Sequence, residues 1–129
     1  MMGIIELLAV FLLGGGAYGL LELLWRGRTH WIMLPLGGVC FTFMYAAAAG
    51  SLPLWARYVL CAAFITAAEF LTGALVNVAL GWDVWDYSDR PMNLYGQICA
   101  GYAALWFALS VPGCALARFL RNSVFRRFL

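Results

Sequence analysis

The side chain most able to do chemistry in this sequence is a carboxylic acid, Glu69, near the middle of a long apolar segment. At a rise of about 1.5 Å per residue, a helix over that segment places Glu69 close to the bilayer midplane. A charged group at that depth costs about 3 kcal/mol on insertion scales, so it needs a partner, a proton or a water-filled cavity. Glu69 is therefore the first candidate for binding a proton, an ion or a polar substrate.

Glu69 shares one face of the expected helix with small and polar side chains. At about 100° per residue, Ala62, Thr66, Gly73 and Asn77 fall in the same sector, which must look into protein. Two interpretations are open. The face is either an interhelical tie in which Gly73 permits close approach, or a binding site to which the Thr66 hydroxyl contributes.

A second charged group lies at the end of the first apolar segment, where Glu22 precedes Arg26 by four residues. This order and spacing favour an ion pair on one helical face, and a cation suits the helix C-terminus. The pair is either an ordinary interfacial ion pair or the entrance to the polar site. Gly15-x-x-x-Gly19 lies in the same sector and predicts a close helix contact.

The segment 81–93 combines aromatic residues with three aspartates and one arginine. Trp82, Trp85 and Tyr87 are typical of an aromatic belt at the membrane surface. A salt bridge from Asp86 to Arg26 or Arg28 is a hypothesis for how this loop closes on the preceding one. The predicted polar cluster of the two loops comprises His30, Arg28, Asp86, Tyr87, Ser88, Asp89 and Arg90.

Two amides open the last apolar segment. Asn93, Gly96 and Gln97 are spaced three and four residues apart, which places them on one face if the segment is helical there. Asn93 and Gln97 are then expected to face Glu69 and Glu22 across a polar pocket and to hydrogen-bond a substrate.

The composition requires a membrane as the environment of these groups. The 129 residues are 65% hydrophobic and 11% charged, and mean hydropathy is +0.88, which excludes an ordinary soluble domain. Eight arginines without a lysine form no basic groove, so we expect no nucleic-acid partner. The predicted fold is all-α, with residues 1–129 forming one transmembrane domain: an antiparallel bundle of four spans at about 4–25, 31–50, 57–80 and 94–117.

Arginine placement predicts the orientation of these spans. An even number of spans puts both termini on one side, and that side carries Arg57 and four arginines of the tail, residues 118–129. The opposite side carries Arg26, Arg28 and Arg90, so the positive-inside rule predicts both termini in the cytoplasm. The tail alternates arginine with apolar residues, which is typical of an interfacial helix on anionic lipid; docking of a partner is the alternative.

Other chemistry is weakly represented. Cys40, Cys61, Cys99 and Cys114 lie inside spans without a Cys-x-x-Cys spacing, so neither a disulfide framework nor a zinc site is expected. No nucleophile or metal-ligand spacing is recognisable, and we expect no catalytic residue, metal or cofactor. The least favoured alternative is a membrane enzyme that uses His30 with Asp86 or Glu69 as acid and base.

A series of short motifs follows in order along the chain: Tyr18-Gly19-Leu20-Leu21-Glu22, Trp25-Arg26-Gly27, Thr29-His30-Trp31, Gly37-Gly38, Glu69-Phe70-Leu71-Thr72-Gly73, Trp85-Asp86-Tyr87-Ser88 and Pro91-Met92-Asn93-Leu94-Tyr95-Gly96-Gln97-Ile98-Cys99. In these motifs the chain resembles a bacterial integral-membrane family named "Putative ABC-transporter type IV", also called CmpB-like or ABC transporter permeases. The resemblance implies a small polytopic membrane protein associated with transport. Many members have a Gly-Pro-x-x-Pro-Ile-Tyr-Gly element after the first span, where this chain has residues 30–38 instead.

These observations predict a transport or channel-type subunit of the bacterial inner membrane with a polar site between its helices. Four spans make a thin wall, so a homo-oligomer is expected, with Gly15-x-x-x-Gly19 as a candidate contact. A separate ATPase subunit is a further candidate partner. The alternative class is a non-transporting scaffold or accessory subunit in which the same polar groups only fix the helix register.

Overall fold

The computed structural model describes residues 3–128 of the chain and is dominated by helices. Three of them are long and apolar enough to cross a membrane, Ile4–Arg26, Leu54–Ala79 and Ala100–Phe125, and the shorter Met33–Ala49 is also apolar. The predicted all-α fold class is therefore confirmed.

The helices are numbered in chain order, with the last two long ones ending in π-helical turns. Helix α1 is Ile4–Arg26 and α2 is Met33–Ala49; α3 is Leu54–Gly73 and continues as a π-helix over Ala74–Ala79. Strands β1, Asn93–Leu94, and β2, Ile98–Cys99, form a two-stranded antiparallel hairpin. Helix α4 is Ala100–Phe119, followed by the π-helical Leu120–Phe125 and the short α5, Arg126–Phe128.

The fourth predicted span, 94–117, is wrong at its N-terminal end. Its first residues form the hairpin because Met92, Tyr95 and Gly96 all have positive φ, which a right-handed helix does not permit. The Gln97 N–H donates to the Leu94 carbonyl across Tyr95 and Gly96, and positive φ at both central residues defines a type I′ turn. The helix that follows runs on into the segment predicted as a separate interfacial tail.

The tail packs on the bundle for part of its length. Phe125 is buried, and its ring meets that of Tyr45 of α2 edge-on at 6.2 Å between centroids. Arg126 and Arg127 remain exposed, and the last residue of the predicted tail, Leu129, lies outside the described residues. The tail is thus a continuation of α4 that turns Phe125 inward and leaves Arg126 and Arg127 exposed.

The interior and the outer surface are both apolar, as a lipid environment requires. Val10, Tyr45, Cys61 and Val76 are almost fully buried between the helices. Large apolar side chains project outward from the three long helices, where lipid would solvate them. They include Ile4, Leu12, Leu24, Trp55, Leu71, Val78 and Phe119.

Helices α1 and α2 approach closely at glycines. A Cβ at Gly15 would stand 2.5 Å from the Leu34 carbonyl oxygen, and one at Gly38 would stand 2.8 Å from that of Phe11. Gly19 also faces Leu34. The prediction that Gly15-x-x-x-Gly19 contacts a second copy is therefore wrong, because α2 of the same chain covers both glycines.

Gly15→Ala is expected to lower the free energy of unfolding by about 1–3 kcal/mol, because the new methyl group collides with backbone that cannot rotate away. Gly16→Ala is the matched control: a Cβ there meets nothing within 4 Å, so the change is expected to be neutral or stabilising by up to about 1 kcal/mol. Reversible denaturation in detergent micelles measures both. Equal stabilities for the two variants would contradict this account of the contact.

Candidate functional site

Glu69 lies in the interior of the structure, with a 3% exposed surface. Its Oε2 accepts a hydrogen bond from the Tyr87 hydroxyl at 3.1 Å, and its Oε1 accepts one from the Trp106 indole N–H at 3.4 Å. Both donors are neutral, and the only salt bridge within residues 3–128 joins two other residues. Glu69 is therefore a buried acid held by dipoles without a cation.

The Glu69 donors belong to a group of four aromatic side chains. The Tyr87 and Tyr102 rings stack at 4.8 Å between centroids, and the Trp106 ring centroid lies 6.1 Å from that of Tyr102 and 6.0 Å from that of Tyr18. We call Tyr18, Tyr87, Tyr102 and Trp106 the aromatic cluster. The segment between the π-helix and α4, residues 80–99, is called the loop below. The aromatic cluster brings α1, α4 and this loop together beside the carboxylate.

Tyr102 connects this cluster to the end of the molecule that carries the loop. Its hydroxyl accepts hydrogen bonds from the Trp25 indole at 3.2 Å and from Arg90 at 3.4 Å. The Arg90 guanidinium carbon also lies 5.0 Å from the Tyr102 ring centroid, which is cation–π range. The aromatic cluster thus already holds one cation, an arginine of the chain, at its outer edge.

Tyr87 reaches Glu69 because hydrogen bonds within the loop hold it in position. The Tyr87 N–H donates to the Gly96 carbonyl at 2.7 Å, and the Asn93 side chain donates to the carbonyls of Ser88 and Arg90 while accepting from the Gly96 N–H. Burial and the adjacent Glu69 carboxylate raise the pKa of Tyr87 well above its ordinary value. Tyr87 therefore remains a protonated donor to Glu69.

The loop is fastened to α3 by an amide pair. Asn77 donates to the Gln97 side-chain oxygen at 2.8 Å and accepts from the Val84 N–H at 2.6 Å. Gln97 in turn donates to the Tyr95 carbonyl, and its own carbonyl accepts from the buried Trp85 indole at 2.9 Å. We call the Asn77–Gln97 pair the amide latch.

Gly73 leaves room for this latch on α3. A Cβ at Gly73 would stand 2.5 Å from the Gln97 Oε1 and 3.0 Å from the Trp85 ring. The predicted small and polar face of α3 thus does look into protein at Glu69, Gly73 and Asn77. Thr66 lies on the same face, and its hydroxyl oxygen is buried without a hydrogen-bond partner among the described residues.

Two expectations about this region need correction. Asn93 and Gln97 do not lie on one face of a helix, because the hairpin turn separates them from α4, and their amides are engaged within the loop. Trp85 and Tyr87 are not belt residues: Trp85 is 4% exposed, and Tyr87 points at Glu69. Trp82 alone of the three predicted belt residues is exposed at the surface.

The Glu22–Arg26 pair is present as predicted. Arg26 Nη1 lies 3.3 Å from Glu22 Oε2, and Arg26 Nη2 donates to the Val84 carbonyl at 2.8 Å. Glu22 is buried, while the Arg26 side chain is about a quarter exposed. Arg26 therefore neutralises an acid of α1 and holds the loop at the same time.

The hypothesis of a salt bridge from Asp86 to Arg26 or Arg28 is wrong for the described residues. Asp86 is exposed, and its carboxylate accepts from Ser88 at 2.9 Å. Hydrogen bonds from the Ser88 side chain and N–H lower the pKa of Asp86. Arg26 is engaged with Glu22, and both Arg28 and Asp89 are exposed.

His30 lies apart from the acids that an enzyme mechanism would need. Its Nδ1 accepts from the Ile32 N–H at 3.2 Å, and its ring packs with those of Trp31 and Trp82 at 5.8 Å between centroids. Hydrogen bonds of the described residues do not join His30 to Glu69 or Asp86. Among those residues, no group of three or more His, Cys, Asp and Glu side chains could hold a metal.

Sequence reasoning missed two members of the aromatic cluster, Tyr102 and Trp106, and placed Tyr18 on the Glu22 face of α1 without giving it a role at Glu69. Their helical spacing carried a usable signal: Tyr102 and Trp106 are four residues apart, and Tyr18 precedes Glu22 by four. Such pairs share a helix face. Aromatic side chains with a polar tip on the face that carries an acid are candidates to donate to it.

Arg26→Gln is expected to lower the free energy of unfolding by about 1.5–3 kcal/mol. It leaves the buried Glu22 carboxylate without its cationic partner and removes the charged donor to the Val84 carbonyl. Arg28→Gln, at an exposed arginine two residues away, is the control and is expected within about 0.5 kcal/mol of the wild type. Adding Glu22→Gln to Arg26→Gln should restore part of the loss. Strict additivity of the two changes in a double-mutant cycle would contradict a stabilising interaction between Glu22 and Arg26.

Comparison with known proteins places these residues in a family. The family model described as Putative ABC-transporter type IV matches residues 18–128, which include the aromatic cluster, Glu22, Glu69 and the whole loop. No curated protein and no solved structure matches the chain. The match extends over most of the sequence, so the chain belongs to the Putative ABC-transporter type IV family.

Proposed function

We propose that this protein is a transport or channel-type subunit in which Glu69 binds a proton or a small cation within the membrane. The observation that carries the proposal is the burial of Glu69 with two neutral donors and no cationic side chain. Glu22, the other buried acid, has Arg26 as its partner. An intramembrane acid without a built-in cation is the group expected to exchange one.

The aromatic cluster supports the proposal that the ligand is positively charged. Tyrosine and tryptophan faces attract cations, and the attraction strengthens when water is excluded. Arg90 already occupies the outer face of Tyr102, and the unpartnered Thr66 hydroxyl on the Glu69 face offers a further oxygen. A carboxylate, a hydroxyl and aromatic faces together form a cation-binding environment.

The loop acts as the outer plug of this site. Tyr87 covers Glu69 while the amide latch and the Arg26–Val84 hydrogen bond hold the loop against α3 and α1. Asn93 and Gln97 hold the plug closed, so their role is positioning and not substrate contact. Opening requires these few hydrogen bonds to break, each worth about 1 kcal/mol net, which a conformational equilibrium can supply.

The setting that we propose is a single domain of four antiparallel spans in the bacterial inner membrane, with both termini in the cytoplasm. The close packing of α2 on α1 supports a spanning role for this shorter helix, and the excess of arginines on the terminal side supports the orientation. We propose a homo-oligomer or a complex with an ATPase subunit, because four helices enclose little space. The role is non-enzymatic.

Exchange of cations across proteoliposome membranes tests the proposal, and it needs no energy source. Purified protein is reconstituted, and the uptake of protons, sodium and tetramethylammonium is followed down an imposed gradient. At least one of these cations is expected to enter faster than into protein-free vesicles. Uptake at the protein-free rate for all three would favour the second candidate function.

That second candidate is a non-transporting scaffold or accessory subunit. It is favoured by the fact that Glu69 ties α3 to both α4 and the loop. In that role the acid fixes helix register, and its charge has no functional purpose. Variants that keep the hydrogen bonds but remove the charge separate the two candidates.

A further inference from the structure

A cleft lies at the end of the bundle opposite the loop, where α2 ends and where α3 begins. Its volume is about 280 Å³, which accommodates a phosphate group with a short organic substituent. Arginines of α3 and of the α4 extension dominate its polar lining, beside a tyrosine hydroxyl and an amide. The side chains that matter are Arg57, Arg118, Arg121, Arg126, Tyr45 and Asn122.

Arg57 is the most informative of these groups. Its Nη2 donates to the Gly50 carbonyl at 2.7 Å, which fixes the guanidinium at the end of α2. Its Nε is buried and has no hydrogen-bond partner among the described residues. A guanidinium that is fixed in the lining of the cleft is preorganised to bind an anion there.

Tyr45 adds a buried hydroxyl to the lining of the cleft. Its side chain is 1% exposed, and Glu6 of α1 brings one carboxylate near the hydroxyl. Four guanidinium groups against one carboxylate leave the cleft strongly positive, and within residues 3–128 none of the four forms a salt bridge.

We infer that this cleft binds a phosphate-bearing anion, through the guanidinium groups of Arg57, Arg121 and Arg126. Guanidinium forks match the oxygens of a phosphate and bind them in bidentate fashion. The cleft lies where the spanning helices end, which is the depth of lipid headgroups. A phospholipid headgroup and a free phosphate compound present the same chemistry to it, so the experiment must separate the two sources.

A non-specific attraction of the basic tail to anionic lipid is the competing explanation. Two adjacent arginines allow this non-specific attraction to be distinguished from binding in the cleft. Both are exposed, but Arg126 lines the cleft and Arg127 does not. Arg126→Gln and Arg127→Gln remove the same charge from neighbouring positions, so a surface effect is equal for both and a site effect is not.

The test measures binding of phosphatidylglycerol to the full-length protein in detergent by native mass spectrometry, with phosphatidylcholine as the zwitterionic comparison. We expect Arg126→Gln to weaken phosphatidylglycerol binding at least about tenfold, a loss of about 1.4 kcal/mol, with Arg127→Gln close to the wild type. Arg121→Gln provides a second variant if Arg126→Gln unfolds. Arg57→Gln is avoided because it also removes the Gly50 contact.

Inorganic phosphate identifies the source. If phosphate at millimolar concentration raises the melting temperature of the wild type but not of Arg126→Gln, and displaces the lipid, the anion is a soluble phosphate compound. If it does neither while the lipid binds, the anion is a headgroup. Equal weakening by Arg126→Gln and Arg127→Gln, or no binding of either probe, would overturn the inference.

Discussion

Glu69→Gln is expected to reduce cation exchange at least about tenfold while leaving the fold intact. The amide oxygen can accept from the Trp106 indole while the amide NH₂ donates to the Tyr87 hydroxyl oxygen, so both contacts of the carboxylate are replaced. The free energy of unfolding should then change by no more than about 1 kcal/mol. The amide can neither be ionised nor attract a cation by charge. A lost charged contact of about 1.5–3 kcal/mol corresponds to a tenfold or larger loss of affinity.

Glu69→Leu is the companion variant for this prediction. It removes both acceptors and leaves the Tyr87 hydroxyl and the Trp106 indole without their partner, at a cost of about 1–3 kcal/mol for each buried donor. Exchange rates in proteoliposomes and unfolding in detergent are measured for both variants. If Glu69→Gln exchanges cations like the wild type, or is destabilised as much as Glu69→Leu, the acid serves as a tie and the scaffold function is favoured.

Gly73→Ala is expected to lower the free energy of unfolding by about 2 kcal/mol, although alanine is the better helix former. The new methyl group would enter the space of the Gln97 side-chain oxygen and the Trp85 ring. The amide latch then breaks, and the loop loses its attachment to α3. Amide hydrogen exchange should accelerate at Val84, whose N–H donates to Asn77, and in the rest of residues 83–97, because the loop opens more often once it is released from α3.

Gly101→Ala is the control for this second prediction. Gly101 lies in the first turn of α4, next to the hairpin, and a Cβ there meets nothing within 4 Å. Its replacement should leave exchange in the loop unchanged. Unaltered exchange in Gly73→Ala as well would mean that the latch does not hold the loop.

The helical part of the site could be predicted because helical periodicity and charge determine it. A carboxylate cannot face lipid, so Glu69 had to point inward together with Gly73 and Asn77 on the same face. The four-residue spacing of Glu22 and Arg26 was enough to pair them. These predictions did not depend on which parts of the protein pack against the two helix faces.

The loop could not be predicted in the same way. The spacing of Asn93, Gly96 and Gln97 suits a helix face, but positive φ at Met92 and Tyr95 is rare for such residues and has no signal in residue type. Gly96 was a turn signal inside the predicted span. Trp85 and Tyr87 have the composition of a surface belt, and only the folding of the loop turns them inward.

Tertiary contacts also determine which helix packs against the glycines of α1. Gly15-x-x-x-Gly19 predicts a close helix contact from sequence but does not identify the partner helix. The partner is α2 of the same chain, which has its own glycines at Gly37 and Gly38. Surfaces for a second copy must therefore be sought elsewhere on the bundle.

The most direct test of the central claim, that Glu69 exchanges a proton or a cation, is infrared difference spectroscopy of the reconstituted protein. Spectra are recorded across a pH step and on addition of the cation that the exchange assay identifies, and the carboxyl bands are followed. One carboxyl difference band, present in the wild type and in Glu22→Gln, is expected to be missing from Glu69→Gln, whereas the bands of the exposed carboxylates are common to all three. Identical carboxyl bands in the wild type and in Glu69→Gln, or no carboxyl signal in any of them, would contradict the claim.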